Sequence, residues 1–136
     1  MHQAIALYFF VVAVILLGLL YIAYPLRRHQ AQSKPNLYWS LALAFDVFGL
    51  VAFALYFLIT NGLVQTHWIG TFANTGLFAS YVYQTLNFRS LRQEITHLQQ
   101  RIAWIAVLVF GVLWHVTKEM STPNDRVLYF GLSSVL

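Results

Sequence analysis

Apolar side chains in this chain fall into long runs separated by short polar stretches. The first run covers residues 4–24 without a charge. The second, 37–59, reads LYWSLALAFDVFGLVAFALYFLI. At about 1.5 Å per residue, a helix of that length spans roughly 34 Å, enough to cross a bilayer's hydrocarbon core. The third and fourth runs are 68–88 and 102–117, and a last run occupies 127–136. That last run would make only about 15 Å of helix, too short to cross. The pattern predicts an all-α polytopic transmembrane bundle forming one domain over 1–136, with four full spans and a truncated fifth. The truncation leads us to expect a longer parent chain with a cytoplasmic domain downstream.

Local signals set the expected boundaries. The first run lacks a positive start and exceeds the usual 7–15-residue apolar core of a signal peptide, so an uncleaved span is expected. Pro25 is expected to stop the first helix, with Tyr21 and Tyr24 at interfacial depth. The stretch 26–36, LRRHQAQSKPN, is a polar connection, and Tyr38 and Trp39 look like anchors of the second span. Thr60, Asn61 and Gly62 signal a turn, and a second turn-rich connection runs over 118–126. Leu91, Ile95, Leu98, Ile102 and Ile105 recur at spacings of 4, 3, 4 and 3, which predicts an interfacial amphipathic helix running unbroken into the fourth span.

Composition supports a lipid environment. Of 136 residues, 60% are hydrophobic and only 9% charged, against about a quarter charged in soluble domains. The net charge of +4 does not imply nucleic-acid binding, because the cations sit between apolar runs and not on an aqueous face. Their placement predicts orientation. The connections at 26–36 and 89–101 hold Arg27, Arg28, Lys34, Arg89, Arg92 and Arg101, whereas the opposite side holds only Lys118 and Arg126. By the positive-inside rule the two richer connections face the cytoplasm and the N-terminus lies outside. Cysteine is absent, which excludes disulfides and thiolate chemistry.

Candidate chemistry is sparse. Asp46 is the one acid inside an apolar run, and a carboxylate there costs about 2.5–3.5 kcal/mol on insertion scales, so it is normally turned inward and partnered. Helical rise puts Ser80 and Tyr81 at a similar depth on the third span. Ala42 and Gly49 flank Asp46, and Gly76 and Ser80 form a small-x-x-x-small site. The third span carries a polar stripe, Thr71, Asn74, Thr75, Tyr81 and Thr85. It suits interhelical hydrogen bonding or, alternatively, a ligand pocket or polar conduit. His115 falls near the outer end of the fourth span, level with Asn74. A bis-histidine haem site needs two facing intramembrane histidines, and His2, His29, His67 and His97 all fall in termini or connections. The candidate polar core is therefore Asp46, Asn74, Ser80, Tyr81 and His115, as structural ties or as sensing groups. No cofactor or metal is expected. Without GxSxG, Walker, HExxH or paired-carboxylate patterns, no catalytic site is expected either.

Three segments together carry a resemblance: YPLRRH after the first run, the aromatic pair in PNLYWSLALAFDVFGLVAFAL, and FANTGLFASYVYQTLNFRSLR. They resemble the membrane-embedded N-terminal sensory regions of bacterial signalling proteins, over about residues 15–105. That resemblance implies signal transduction to a cytoplasmic diguanylate cyclase (GGDEF), PAS or histidine kinase domain. The partners it implies are the bilayer, an unidentified stimulus and, through transmembrane helices, a homodimer. Two readings from other classes stand beside it: a small transporter or cofactor-carrying membrane subunit, and a membrane assembly or scaffold protein.

Overall fold

A computed structural model describes the backbone of residues 2–29, 34–60 and 68–120, with side chains over 3–22, 37–60 and 68–117. Four helices follow one another: α1 (His2–His29), α2 (Lys34–Thr60), α3 (Trp68–Ser90) and α4 (His97–Met120). There is no strand among the described residues. Three helices are long and apolar enough to cross a membrane, over Gln3–Ile22, Leu37–Thr60 and His97–Thr117. α3 is long enough but does not match their apolarity, because Thr71, Asn74, Thr75, Ser80, Gln84 and Thr85 dilute it. The final run, the 60–62 turn beyond Thr60 and the 121–126 connection lie outside the described residues.

Two boundary expectations are corrected. Pro25 does not end α1, which continues to His29. Proline lacks the N–H that would bond the residue 21 carbonyl, but later residues keep their own bonds, and membrane helices tolerate that single loss. The amphipathic helix over 89–105 is also interrupted. The chain turns at 91–93 and is irregular through 94–96 before α4 begins. The Arg89 carbonyl accepts from both Arg92 and Gln93 N–H at 3.0 Å, closing α3. Thr96 then caps α4: its hydroxyl accepts from Gln99 N–H at 3.3 Å, and the Gln99 side chain accepts from Thr96 N–H at 3.0 Å. This reciprocal pair is a capping box. The apolar residues of the expected stripe lie mostly on the outside of the bundle. Ile95 is buried, while Leu91, Leu98, Ile102 and Ile105 are exposed.

Packing follows chain order. α2 lies against α1 and, most extensively, against α3, and α4 lies against α3. Phe9 of α1 stacks on Phe53 and Phe57 of α2 at 5.4 and 5.9 Å. Small residues let α2 and α3 approach to backbone contact. A Cβ added at Gly76 would lie 3.2 Å from the Gly49 Cα and N, and one at Gly49 would lie 3.0 Å from the Leu77 N. Lipid offers little hydrophobic drive between helices, so close backbone packing is what holds such a pair. The broad apolar surfaces of α1 and α4, from Leu7 through Ile22 and from Ile102 through Val116, remain exposed. Those surfaces suit a bilayer.

Candidate functional site

α3 makes polar contacts on two sides, and its stripe divides between them. On the α2 side, the Gln84 amide donates to Asp46 Oδ2 at 3.4 Å and to Ser80 Oγ at 3.3 Å. Through Gln84, the Ser80 hydroxyl and the Asp46 carboxyl belong to one polar set. Ser80 is nearly inaccessible, at 1% exposure. Helical periodicity explains the set: Ser80 and Gln84 are four residues apart, so both point at the α2 surface that carries Asp46.

Tyr81 does not join them. One residue on from Ser80, it is rotated about 100° around the helix and is 58% exposed. Asp46 and Ser80 therefore share one neighbour, Gln84, and Tyr81 lies apart from them. Gln84 takes the place expected for Tyr81. The sequence offered a signal for it, since Gln84 lies one helical turn beyond Ser80 on the same face.

On the α4 side, Thr71 Oγ1 and His115 Nδ1 share a hydrogen bond at 2.9 Å. The His115 ring stacks on Trp68 at 3.8 Å and 22°. His115 thus meets α3 one turn earlier than Asn74, the residue judged level with it. Asn74 donates to the Gly70 carbonyl of its own helix at 2.8 Å. Thr75 likewise bonds the Thr71 carbonyl at 2.8 Å, and Thr85 the Tyr81 carbonyl at 3.0 Å. These back-bonds satisfy the two threonine hydroxyls and the Asn74 amide within α3 itself, without a partner helix.

Between the polar contacts lie aromatic ones. Tyr83 is buried between Phe45 at 5.5 Å and Trp104 at 5.7 Å, and Phe45 meets Trp104 edge-on at 6.0 Å. Tyr38, Ala42, Leu86, Ile95 and Ala103 complete this cluster. The Gln100 amide donates to the Tyr38 hydroxyl at 2.6 Å, tying the start of α4 to the start of α2. Further along, Phe78 stacks on Phe110 at 4.0 Å. Tyr38 and Trp104 were thus recruited to helix–helix contacts.

Among the described residues, no group of three or more His, Cys, Asp or Glu side chains could hold a metal ion. The five candidate residues do not converge: Asp46 and Ser80 form one site, His115 another with Thr71, and Asn74 and Tyr81 belong to neither. No family model, curated protein or solved structure matches the chain.

Proposed function

We propose that the chain is a membrane-embedded input module that relays a stimulus to a cytoplasmic signalling domain, as in the bacterial sensory regions it resembles. In this reading α3 is a fourth span, the N-terminus is periplasmic and the membrane is the bacterial inner membrane. The connections at 30–33 and 91–96 then face the cytoplasm, beside Arg27, Arg28, Lys34, Arg89, Arg92 and Arg101.

The supporting observation is the unequal attachment of α3 on its two sides. Toward α2 it is held by backbone contact at Gly49 and Gly76. Toward α4 it is held by side chains: Phe78 on Phe110, Trp68 and Thr71 on His115. A relay needs a rigid frame and an element able to shift against it, and interfaces with alternative side-chain packings supply the second. α2 and α3 form the frame, and α4 is the moving element. With no paired acids and no facing histidines among the described residues, transport and cofactor binding have less to support them than this mechanical reading.

Two experiments test the reading. Topology reporters inserted in 30–33, 61–67 and 91–96 are expected to report cytoplasm, periplasm and cytoplasm. Reporters at 61–67 and 91–96 on the same side would overturn the four-span arrangement. In the native gene, a cyclase, PAS or kinase domain is expected in frame after Leu136, and a stop codon directly after it would overturn the signalling reading.

A further inference from the structure

α3 and α4 are joined by an elbow whose backbone is fixed while its charges stay outside. Ile95, at its middle, is buried in the cluster that holds Tyr38, Tyr83 and Leu86. The Arg89 carbonyl closes α3 onto Arg92 and Gln93, and the Thr96–Gln99 pair caps α4. The Gln100 amide then ties the first turn of α4 to Tyr38 of α2. Around this anchored turn Arg89, Arg92 and Arg101 are all exposed, and Glu94 is the one acid among residues 89–101.

Between its cations the same surface is apolar. Leu91 and Leu98 are 66% and 67% exposed. On α4, Leu98, Arg101, Ile102 and Ile105 fall within about 100° of one another at 100° per residue, and all four are exposed. The apolar stretch of α4 that can cross a membrane starts at His97, so Arg101 sits about one turn inside it, on a side that otherwise suits acyl chains. Helical side chains tilt toward the N-terminus, which here means toward the elbow. A guanidinium so placed reaches back along its stem to the headgroup level, where phosphate oxygens accept its N–H groups in pairs. Three guanidinium groups against one carboxylate leave an excess of positive charge. A zwitterionic headgroup does not neutralise that excess, and an anionic one does.

We propose that the α3–α4 elbow is a binding site for anionic phospholipid. The headgroup phosphate lies among Arg89, Arg92 and Arg101, and the acyl chains lie along Leu91, Leu98 and Ile102. The proposal rests on α4 crossing the bilayer and does not depend on which side the elbow faces. Anchoring of the turn favours binding, because a pre-set backbone gives up less freedom than a loose one. The site draws its cations from both sides of the α3–α4 interface, so an occupied site bridges the two helices.

The purified chain in phosphatidylcholine vesicles tests it, with a trace of spin-labelled phosphatidylglycerol or of spin-labelled phosphatidylcholine as the probe. The phosphatidylglycerol label is expected to show the larger fraction immobilised by the protein. Arg89→Gln, Arg92→Gln and Arg101→Gln are each expected to lower that preference, by up to about fivefold for a full headgroup contact. Arg27→Gln together with Arg28→Gln, which removes cations from the other connection, is expected to change it less than any one of the three. Equal immobilisation of the two labels, or a preference that falls as far with the Arg27 and Arg28 pair as with the elbow variants, would overturn the site. Sidedness reporters in 91–96 and 121–126 read the crossing of α4 separately, so equal immobilisation beside reporters on opposite sides rejects the lipid site alone.

Discussion

The two interfaces of α3 differ in how closely the main chains approach, although rings meet on both sides, Tyr83 on Phe45 of α2 and on Trp104 of α4. Toward α2, side chains shrink until main chains touch at Gly49 and Gly76, and the polar ties of Asp46, Ser80 and Gln84 sit beside that contact. Toward α4, bulky rings fill the gap, Phe78 on Phe110 and Tyr83 on Trp104. A contact made by backbone has few ways to rearrange. A contact made by side chains has several, because rotamers can change while the helices remain paired. The first arrangement gives a fixed pair, and the second gives a hinge-like one.

Glycine substitutions separate these descriptions most sharply. Gly76→Ala is expected to cost most, about 1–3 kcal/mol as overpacking, because the new Cβ would lie 2.8 Å from Phe48 Cδ1 and 3.2 Å from the Gly49 backbone. Thermal unfolding in detergent measures it, and a wild-type midpoint would refute backbone contact between α2 and α3. Asp46→Leu comes next. It removes the Asp46 acceptor of the Gln84 amide, at about 1–2 kcal/mol for an interhelical hydrogen-bond site. Asp46→Asn keeps an acceptor and is expected to retain most of that stability in the same assay.

Smaller effects belong to the α4 side. His115→Ala removes the Thr71 bond and the Trp68 stack, and a loss of about 0.6–1.7 kcal/mol is expected. Under the proposed relay, its sharper readout is altered signalling output at unchanged membrane level. Gly111→Ala should be milder than Gly76→Ala, since the atoms nearest the new Cβ belong to the Thr75 side chain, from 2.9 Å, and not to backbone. Gly18→Ala meets nothing within 4 Å and is expected to stabilise α1 by up to about 1 kcal/mol through helix propensity. Gly18→Ala and Gly76→Ala are therefore expected to shift the unfolding midpoint in opposite directions.

Much of this architecture was legible from hydropathy, because the bilayer demands long apolar helices and few other elements compete with them. The helix positions follow the four long runs closely. The break at 91–96 was missed because a 4-3-4-3 spacing over few residues fits either a helix or a coincidence. Thr96 and Gln99 carried the deciding signal, a capping box three residues apart. The small-residue contact of α2 with α3 was visible in Gly49 and Gly76. Side-chain direction was harder. Depth alone allowed both Ser80 and Tyr81 to meet Asp46, and only helical rotation, which also selects Gln84, tells them apart. Depth likewise matched His115 to Asn74, one turn away from its actual partner Thr71.

The modest apolarity of α3 has a consequence for biosynthesis. In the proposed topology, α1, α2 and α4 can each partition into lipid on their own side chains. α3 carries two asparagines, a glutamine and several hydroxyls, and gains much less from doing so alone. It enters lipid most favourably once α2 is already there, with Gly49 and Asp46 presenting a ready surface. The order of the chain supplies that order of events: the strongly apolar α2 emerges first and serves as the template for the helix that follows it.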